Sequence, residues 1–163
     1  MLEACAYDDL AALAVFRALD PHDLLEAQHI RGASVRYPQL FAEWHGAQAA
    51  AVLSLVLKAQ GLPFAVLLVG NTGQAGVAQA AMLARDHARF RPALVAAARE
   101  IRTRLPAFCA RLGVHRIEVR AWAGHPRAGR FLRLCGFQQE AEMTGFGAVG
   151  AERFLQFAWI RRD

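Results

Sequence analysis

Through residue 50 the apolar positions recur at helical spacing. Tyr7–Leu19 places Leu10, Leu13, Ala14 and Phe16 in one period, with Asp8 and Asp9 in the first turn, where the helix dipole favours acids. Asp20-Pro21 reads as a restart, because aspartate suits an N-cap and proline the first helical position. That second helix runs to about His29 and stops near Gly32. Tyr37–Ala50 predicts a third helix with Leu40, Phe41 and Trp44 along one face. The pattern then changes. Ala51–Lys58 and Phe64–Val69 are short apolar runs joined by Ala59–Pro63, which predicts a β-hairpin with both strands largely buried. Asn71–Gly76 is a glycine-rich turn. Val77–Ala84 fits strand or helix by itself; the turn before it and the helix start after it make it a strand. Phe90–Leu112 is a long helix with Leu94, Val95, Ala98, Ile101, Leu105 and Phe108 on one side, and Pro106 predicts a kink or a split in it. Gly113 suits its end. His115–Trp122 alternates polar and apolar as a strand does, Pro126–Cys135 is a short helix ending at Gly136, and Phe137–Met143 and Phe154–Ile160 close the chain as strands. The order predicts one mixed α/β (α+β) domain over residues 1–163, helical over 1–50 and sheet-bearing over 51–163.

Composition agrees. The 163 residues suit one core, and 55% hydrophobic with 20% charged residues excludes a disordered chain. The longest apolar stretches, Ala49–Leu57 and Leu62–Gly70, are too short to span a bilayer, and the Met1 start lacks a basic region followed by an apolar run. A cytoplasmic protein is the expectation. Cys5, Cys109 and Cys135 are odd in number and form no CxxC pair, which points to core residues rather than a disulfide framework or a thiolate metal site. Charge is uneven. Residues 1–84 carry four basic side chains against seven acids, hence −3, and residues 85–163 carry fifteen arginines against seven acids, hence +8, which makes the net +5. Basic side chains gathered in one part suit a phosphate-bearing ligand, a nucleic acid, or solvated helix faces.

Two segments carry a resemblance. Leu112-Gly-Val-His-Arg-Ile-Glu-Val119 is similar to the fifth strand of the acyl-CoA N-acyltransferase superfamily known as GNAT, together with its approach. His125-Pro-Arg-Ala-Gly-Arg-Phe-Leu-Arg-Leu-Cys-Gly-Phe137 resembles that family's N-x-x-A-x-x-F-Y-x-x-x-G-F helix. AGRFLRLCGF, RALDPHDLLEAQ and GLPFAVLLVG resemble, more narrowly, small acetyltransferase-like proteins of tailed phages and prophages. The resemblance implies a mixed, mostly antiparallel sheet with two splayed parallel central strands, Val77–Ala84 and His115–Trp122, and flanking helices. It implies acetyl-CoA as cosubstrate and no metal, with the pyrophosphate at the N-terminus of the helix between those strands, where free N–H groups and the dipole attract an anion.

On this resemblance the cofactor-binding residues are Leu83, Ala84, Arg85, Arg89, Phe90, Arg91, His125 and Arg130. The chain departs from the family in two places. The family's Q/R-x-x-G-x-G/A loop has no counterpart, since no glycine lies between Gly76 and Gly113, so arginine side chains would have to hold the phosphates. Leu132 stands where the family's acidic tyrosine does, and leucine cannot protonate a departing thiolate. The catalytic candidates are Glu118, His125 and Asp86, each with an alternative: an ion pair with Arg116 or Arg120 for Glu118, and helix capping for His125 and Asp86.

The resemblance implies transfer of an acetyl group to an amine of a small molecule or a protein, with a homodimer an open option and no membrane partner. A GNAT-shaped protein without catalysis, serving as a structural or interaction module and virion-associated if of phage origin, is the alternative. Nucleic-acid binding ranks last, because no recognition motif or aromatic-basic stacking pattern accompanies the arginines.

Overall fold

A computed structural model describes residues 1–161. One sheet runs through it in the order β1-β2-β3-β4-β5-β7-β6. Its strands are β1 (Leu2–Ala6), β2 (Ala51–Ala59), β3 (Leu62–Asn71), β4 (Val77–Ala84), β5 (Arg116–Trp122), β6 (Gln138–Phe146) and β7 (Glu152–Ile160). Every neighbouring pair is antiparallel except β4 and β5. The helices are α1 (Asp9–Phe16), α2 (Pro21–Arg31), α3 (Tyr37–Ala47), α4 (Arg91–Leu112) and α5 (Ala128–Cys135). This is the mixed, mostly antiparallel arrangement with a parallel central pair that the family resemblance implies.

Helices cover both faces of the sheet. Ala12, Val15 and Phe16 of α1 and Leu40 and Trp44 of α3 bury against Val56 and Val66 of β2 and β3. On the opposite face α4 and α5 bury Ala98, Leu105, Cys109, Leu132 and Cys135 against Val69, Ile117 and Phe157. Cys109 and Cys135 are packing residues: burial pushes the Cys109 thiol up to about 11 and the Cys135 thiol up to about 12, so both stay protonated at neutral pH.

Several local expectations hold. Asp20 accepts from the His22 amide and Pro21 opens α2, which ends on Gly32 in the left-handed region. Asp8 caps α1 by accepting from Ala11 N–H. The hairpin turn is tighter than Ala59–Pro63: Gln60 and Gly61, with φ of 52° and 76°, make a two-residue turn of the type that suits the twist of two strands.

Three expectations need correction. The segment before α1 is a strand, since Leu2–Ala6 pairs with β2 in register from Leu2↔Ala59 to Ala6↔Leu55, so residues 1–50 are not wholly helical. Its side chains carry little alternation; pairing with a long neighbouring strand, not local pattern, makes it β. The third helix ends at Ala47 and passes through a 3₁₀ turn, Gln48–Ala50, before β2. Pro106 does not split α4, one of the two outcomes expected of it. It lies on the exposed side of the helix, as does Arg102 one turn earlier, so the carbonyl that loses its N–H partner faces water.

Candidate functional site

β4 and β5 are paired only at Val77↔Arg116, Ala78↔Ile117 and Gln79↔Glu118. Beyond that register they part, β4 running on to Ala84 and β5 to Trp122. The parting leaves a fork. Arg85 N–H bonds back to Phe64 O on β3, so the amide and carbonyl of Ala84 point the other way, into the fork. Strand alternation turns the main chain of Met82 in the same direction. On β5, Ala123 N–H bonds Arg153 O beside β7, so Trp122 N–H, and by the same alternation Arg120 N–H, face the fork from the other side.

The mouth of the fork is closed by α2. Asp20, Asp23 and Glu26 recur every three residues and present one helical face to it. Asp23 Oδ2 accepts from Ala84 N–H at 2.7 Å, and Asp20 N–H donates to Ala84 O at 2.9 Å. Glu26 Oε2 accepts from Trp122 N–H at 2.8 Å, so one face of one helix bridges both strand ends.

Two histidines complete the cluster. His125 Nε2 lies 3.0 Å from Asp23 Oδ1, and His87 Nε2 lies 3.1 Å from the same oxygen. Asp20 Oδ2 accepts from His87 N–H and stands 3.6 Å from His87 Nδ1, a charge contact too long for a hydrogen bond, so that nitrogen is buried without a hydrogen-bond partner. All four residues are buried. Burial opposes ionisation of Asp23, but His125, His87 and the Ala84 amide outweigh it and hold the carboxyl below its ordinary range. Burial likewise opposes a charge on His87, and the Asp23 hydrogen bond with the Asp23 and Asp20 charges raises its pKa nevertheless. At Glu26 burial outweighs the Trp122 N–H bond and the nearby histidines, and pushes its carboxyl from 4.5 up to about 7.

Asp23, His87 and His125 each offer one ligand atom within 4.8 Å of the others, the residue types of a metal site. Proton positions argue against that use. His125 Nδ1 accepts from Arg127 N–H at 3.1 Å and Ala128 N–H at 2.9 Å, so the hydrogen-bond network assigns its ring proton to Nε2, which donates to Asp23. A metal needs that nitrogen unprotonated.

The sequence candidates fall into two groups. His125 and Ala84 belong to the cluster; His125 also caps the start of α5. Glu118 sits at the closed end of the fork, where its carboxylate meets Arg116 Nε at 2.6 Å, in a network with Glu140. Asp86, exposed at φ 24°, accepts from Arg89 N–H and shapes the turn before α4; the N-cap of α4 is Phe90. Phe90 itself is buried and stacks on Phe64 at 5.3 Å. Arg85 reaches back to Pro63 O at 2.9 Å, and Leu83 packs towards α1 and α3. Arg89 and Arg91 are exposed at the N-terminus of α4, which has no side-chain cap, and Arg130 is exposed on α5. Asp20 was legible only as a cap and Asp23 and Glu26 only as a three-residue spacing, while His87 was legible as a base candidate beside Asp86 at the mouth of the helix, not as a partner of Asp23. What unites them is the docking of α2 on strands more than fifty residues away in the chain.

No family model matches the chain, and no curated protein matches it. Solved structures do. A GNAT-family acetyltransferase from Bacillus anthracis superposes with a TM-score of 0.72 at 10% identity, covering 98% of this chain and 94% of that one. Spermidine N-acetyltransferase from Vibrio cholerae, in complex with CoA and spermine, gives 0.69 at 10% identity, covering 98% and 95%. The ribosomal-protein-S18-alanine N-acetyltransferase from Escherichia coli gives 0.66 at 14% identity, covering 98% and 94%. At these identities the likeness is one of fold, and it spans both proteins almost end to end.

Proposed function

We propose that the chain is an acyl-CoA-dependent N-acyltransferase that takes acetyl-CoA as donor and an amine as acceptor. The observation that carries this reading is the fork between β4 and β5 with the Glu26 carboxyl, pushed up to about 7, at its mouth. A carboxyl poised there is half ionised at neutral pH, the condition a general base needs. Its Oε2 is held by Trp122 N–H, which leaves Oε1 to take a proton. The main-chain N–H groups of Met82 and Arg120 would face the donor's extended arm and the oxygen that gains charge during transfer. Arg89 and Arg91, beside the uncapped amides of α4, would meet its phosphates. Asp23 and the histidines hold α2 and α5 against the fork. An ammonium acceptor gives up two protons overall. One goes to Glu26 before attack; the other ends on sulfur as the C–N bond forms and the C–S bond breaks. The structures of similar fold described as N-acetyltransferases of spermidine and of an alanine of ribosomal protein S18 support an amine acceptor here.

The test is calorimetric titration with CoA and acetyl-CoA. Saturable binding is expected, and Arg89→Ala with Arg91→Ala should weaken it about tenfold or more, since a charge-assisted contact is worth roughly 1.5–3 kcal/mol. Unchanged affinity in that double variant would move the phosphate site elsewhere. A second reading, a GNAT-shaped interaction module without catalysis, is favoured by one specific observation: Asp23 and Glu26 already occupy the amides of Ala84 and Trp122 that open into the fork. It becomes the better reading if millimolar CoA gives no heat.

A further inference from the structure

Between the sheet and α4 lies a cavity of about 600 Å³. Its floor crosses five strands, from Ala4 on β1 through Leu55 and Leu67 to Met82 and Val119. Four strand spacings separate β1 from β5, roughly 19 Å. Ala97 and Ile101 roof it from α4, and Leu132 and Cys135 of α5 close one end. The charged and hydroxyl side chains that line it, Glu100, Thr103, Arg104 and Arg111, all belong to the flank of α4, where three of the four are exposed. The space is therefore a long apolar slot with a polar edge.

The space is open to solvent at Ala4, Ala81 and Ala107 and along the flank of α4, so it is a groove, and an apolar floor left uncovered across several strands is the kind of surface a ligand fills. A slot with an apolar floor and its polar groups confined to one edge suits an unbranched hydrocarbon better than a polar ligand. Its inner end includes Met82 and Val119, the residues that flank the fork where β4 and β5 part. A two-carbon acyl group at the fork would use almost none of it.

We infer that this cavity binds the straight aliphatic chain of an acyl group, led in from the fork, so that the donors of this protein include medium- and long-chain acyl thioesters. The inference rests on the acyltransferase reading for the route of entry. The transfer keeps the same balance, C–N for C–S with two protons released by the ammonium. Arg104 and Arg111 at the edge offer a second source of the same chain, a free fatty acid with its carboxylate outermost.

The full chain is titrated with acetyl-CoA, octanoyl-CoA, dodecanoyl-CoA and dodecanoate. Each methylene moved from water into the slot should tighten binding roughly three- to fourfold, so octanoyl-CoA should bind at least about 100-fold more tightly than acetyl-CoA. Leu67→Trp, in the middle of the floor, should return that ratio towards one. Ala4→Phe, at an exposed position of the edge strand where folding tolerates bulk, should cut the dodecanoyl gain and spare the octanoyl gain. Equal affinity for all three thioesters would overturn the inference while leaving the donor reading intact. A chain-length gain untouched by both substitutions would also overturn it. Dodecanoate binding that Leu67→Trp abolishes, with no thioester bound, would uphold the aliphatic site and end the acyltransferase reading. If no probe binds, both fall.

Discussion

Glu26 is the residue whose chemistry and stability pull in opposite directions. In the folded chain its carboxyl titrates near 7 instead of 4.5. Between those values the folded state holds a proton that the unfolded chain has released, so stability falls as pH rises through the window and the full cost is felt above about 7. Glu26→Gln removes the titration and keeps an oxygen for the Trp122 amide. At pH 8 it should stabilise the protein by on the order of 2 kcal/mol, and at pH 4 it should be neutral, as read by urea denaturation. If Glu26 is the base, the same substitution should lower turnover about 100-fold or more. A stability gain equal at both pH values would show that burial does not perturb this carboxyl. Sequence reasoning passed over Glu26 because a carboxylate on a helix face is ordinarily solvated; only the strand end it meets makes it unusual. It gave Glu118 a catalytic option that competes, in the structure, with the Arg116 ion pair it had also weighed.

At the level of elements, the helices and strands past residue 50 were legible from their periods and the glycines and prolines between them, except Val77–Ala84, whose own pattern fits strand or helix and which only its flanks decided. The failures came where tertiary pairing overrode local pattern, in β1 above all. α4 is instructive in another way. It carries Pro106 in its interior and yet runs unbroken from Arg91 to Leu112, held by Leu105 and Cys109 against the sheet. The packing of those two residues offsets a defect that an isolated helix would not survive. Pro106→Ala, at an exposed position, restores an amide facing Arg102 and should raise stability by about 1–2 kcal/mol, seen as a higher Tm with no change in ligand affinity. A lower Tm would mean that the proline's restriction of the unfolded chain outweighs the lost hydrogen bond. α5 shows the converse economy of parts, since one imidazole caps the helix with Nδ1 and anchors Asp23 with Nε2.

For the molecule as a whole, the division of charge, −3 over residues 1–84 and +8 over 85–163, sets what it attracts without saying what it binds. Salt separates the cases. A duplex binder neutralising several phosphates loses affinity with a log–log slope near −0.9 per phosphate. A CoA site built from helix amides, Arg89 and Arg91 should show a much shallower dependence, and DNA should bind weakly and steeply. Tight DNA binding at physiological salt without CoA binding would reverse the functional assignment. The overall fold was readable from residues 51–163; the site was not, because it forms only when α2 crosses to the far ends of β4 and β5. That crossing has a consequence for exchange with solvent. The amides of Ala84 and Trp122 lie on different strands, yet their acceptors, Asp23 and Glu26, sit one turn apart on a single helix. Lifting α2 exposes both at once. In deuterated water the two hydrogens should therefore be replaced at matching rates that respond together to Asp20→Ala, whereas Arg85 N–H, bonded to Phe64 O within the sheet, keeps a slower clock of its own.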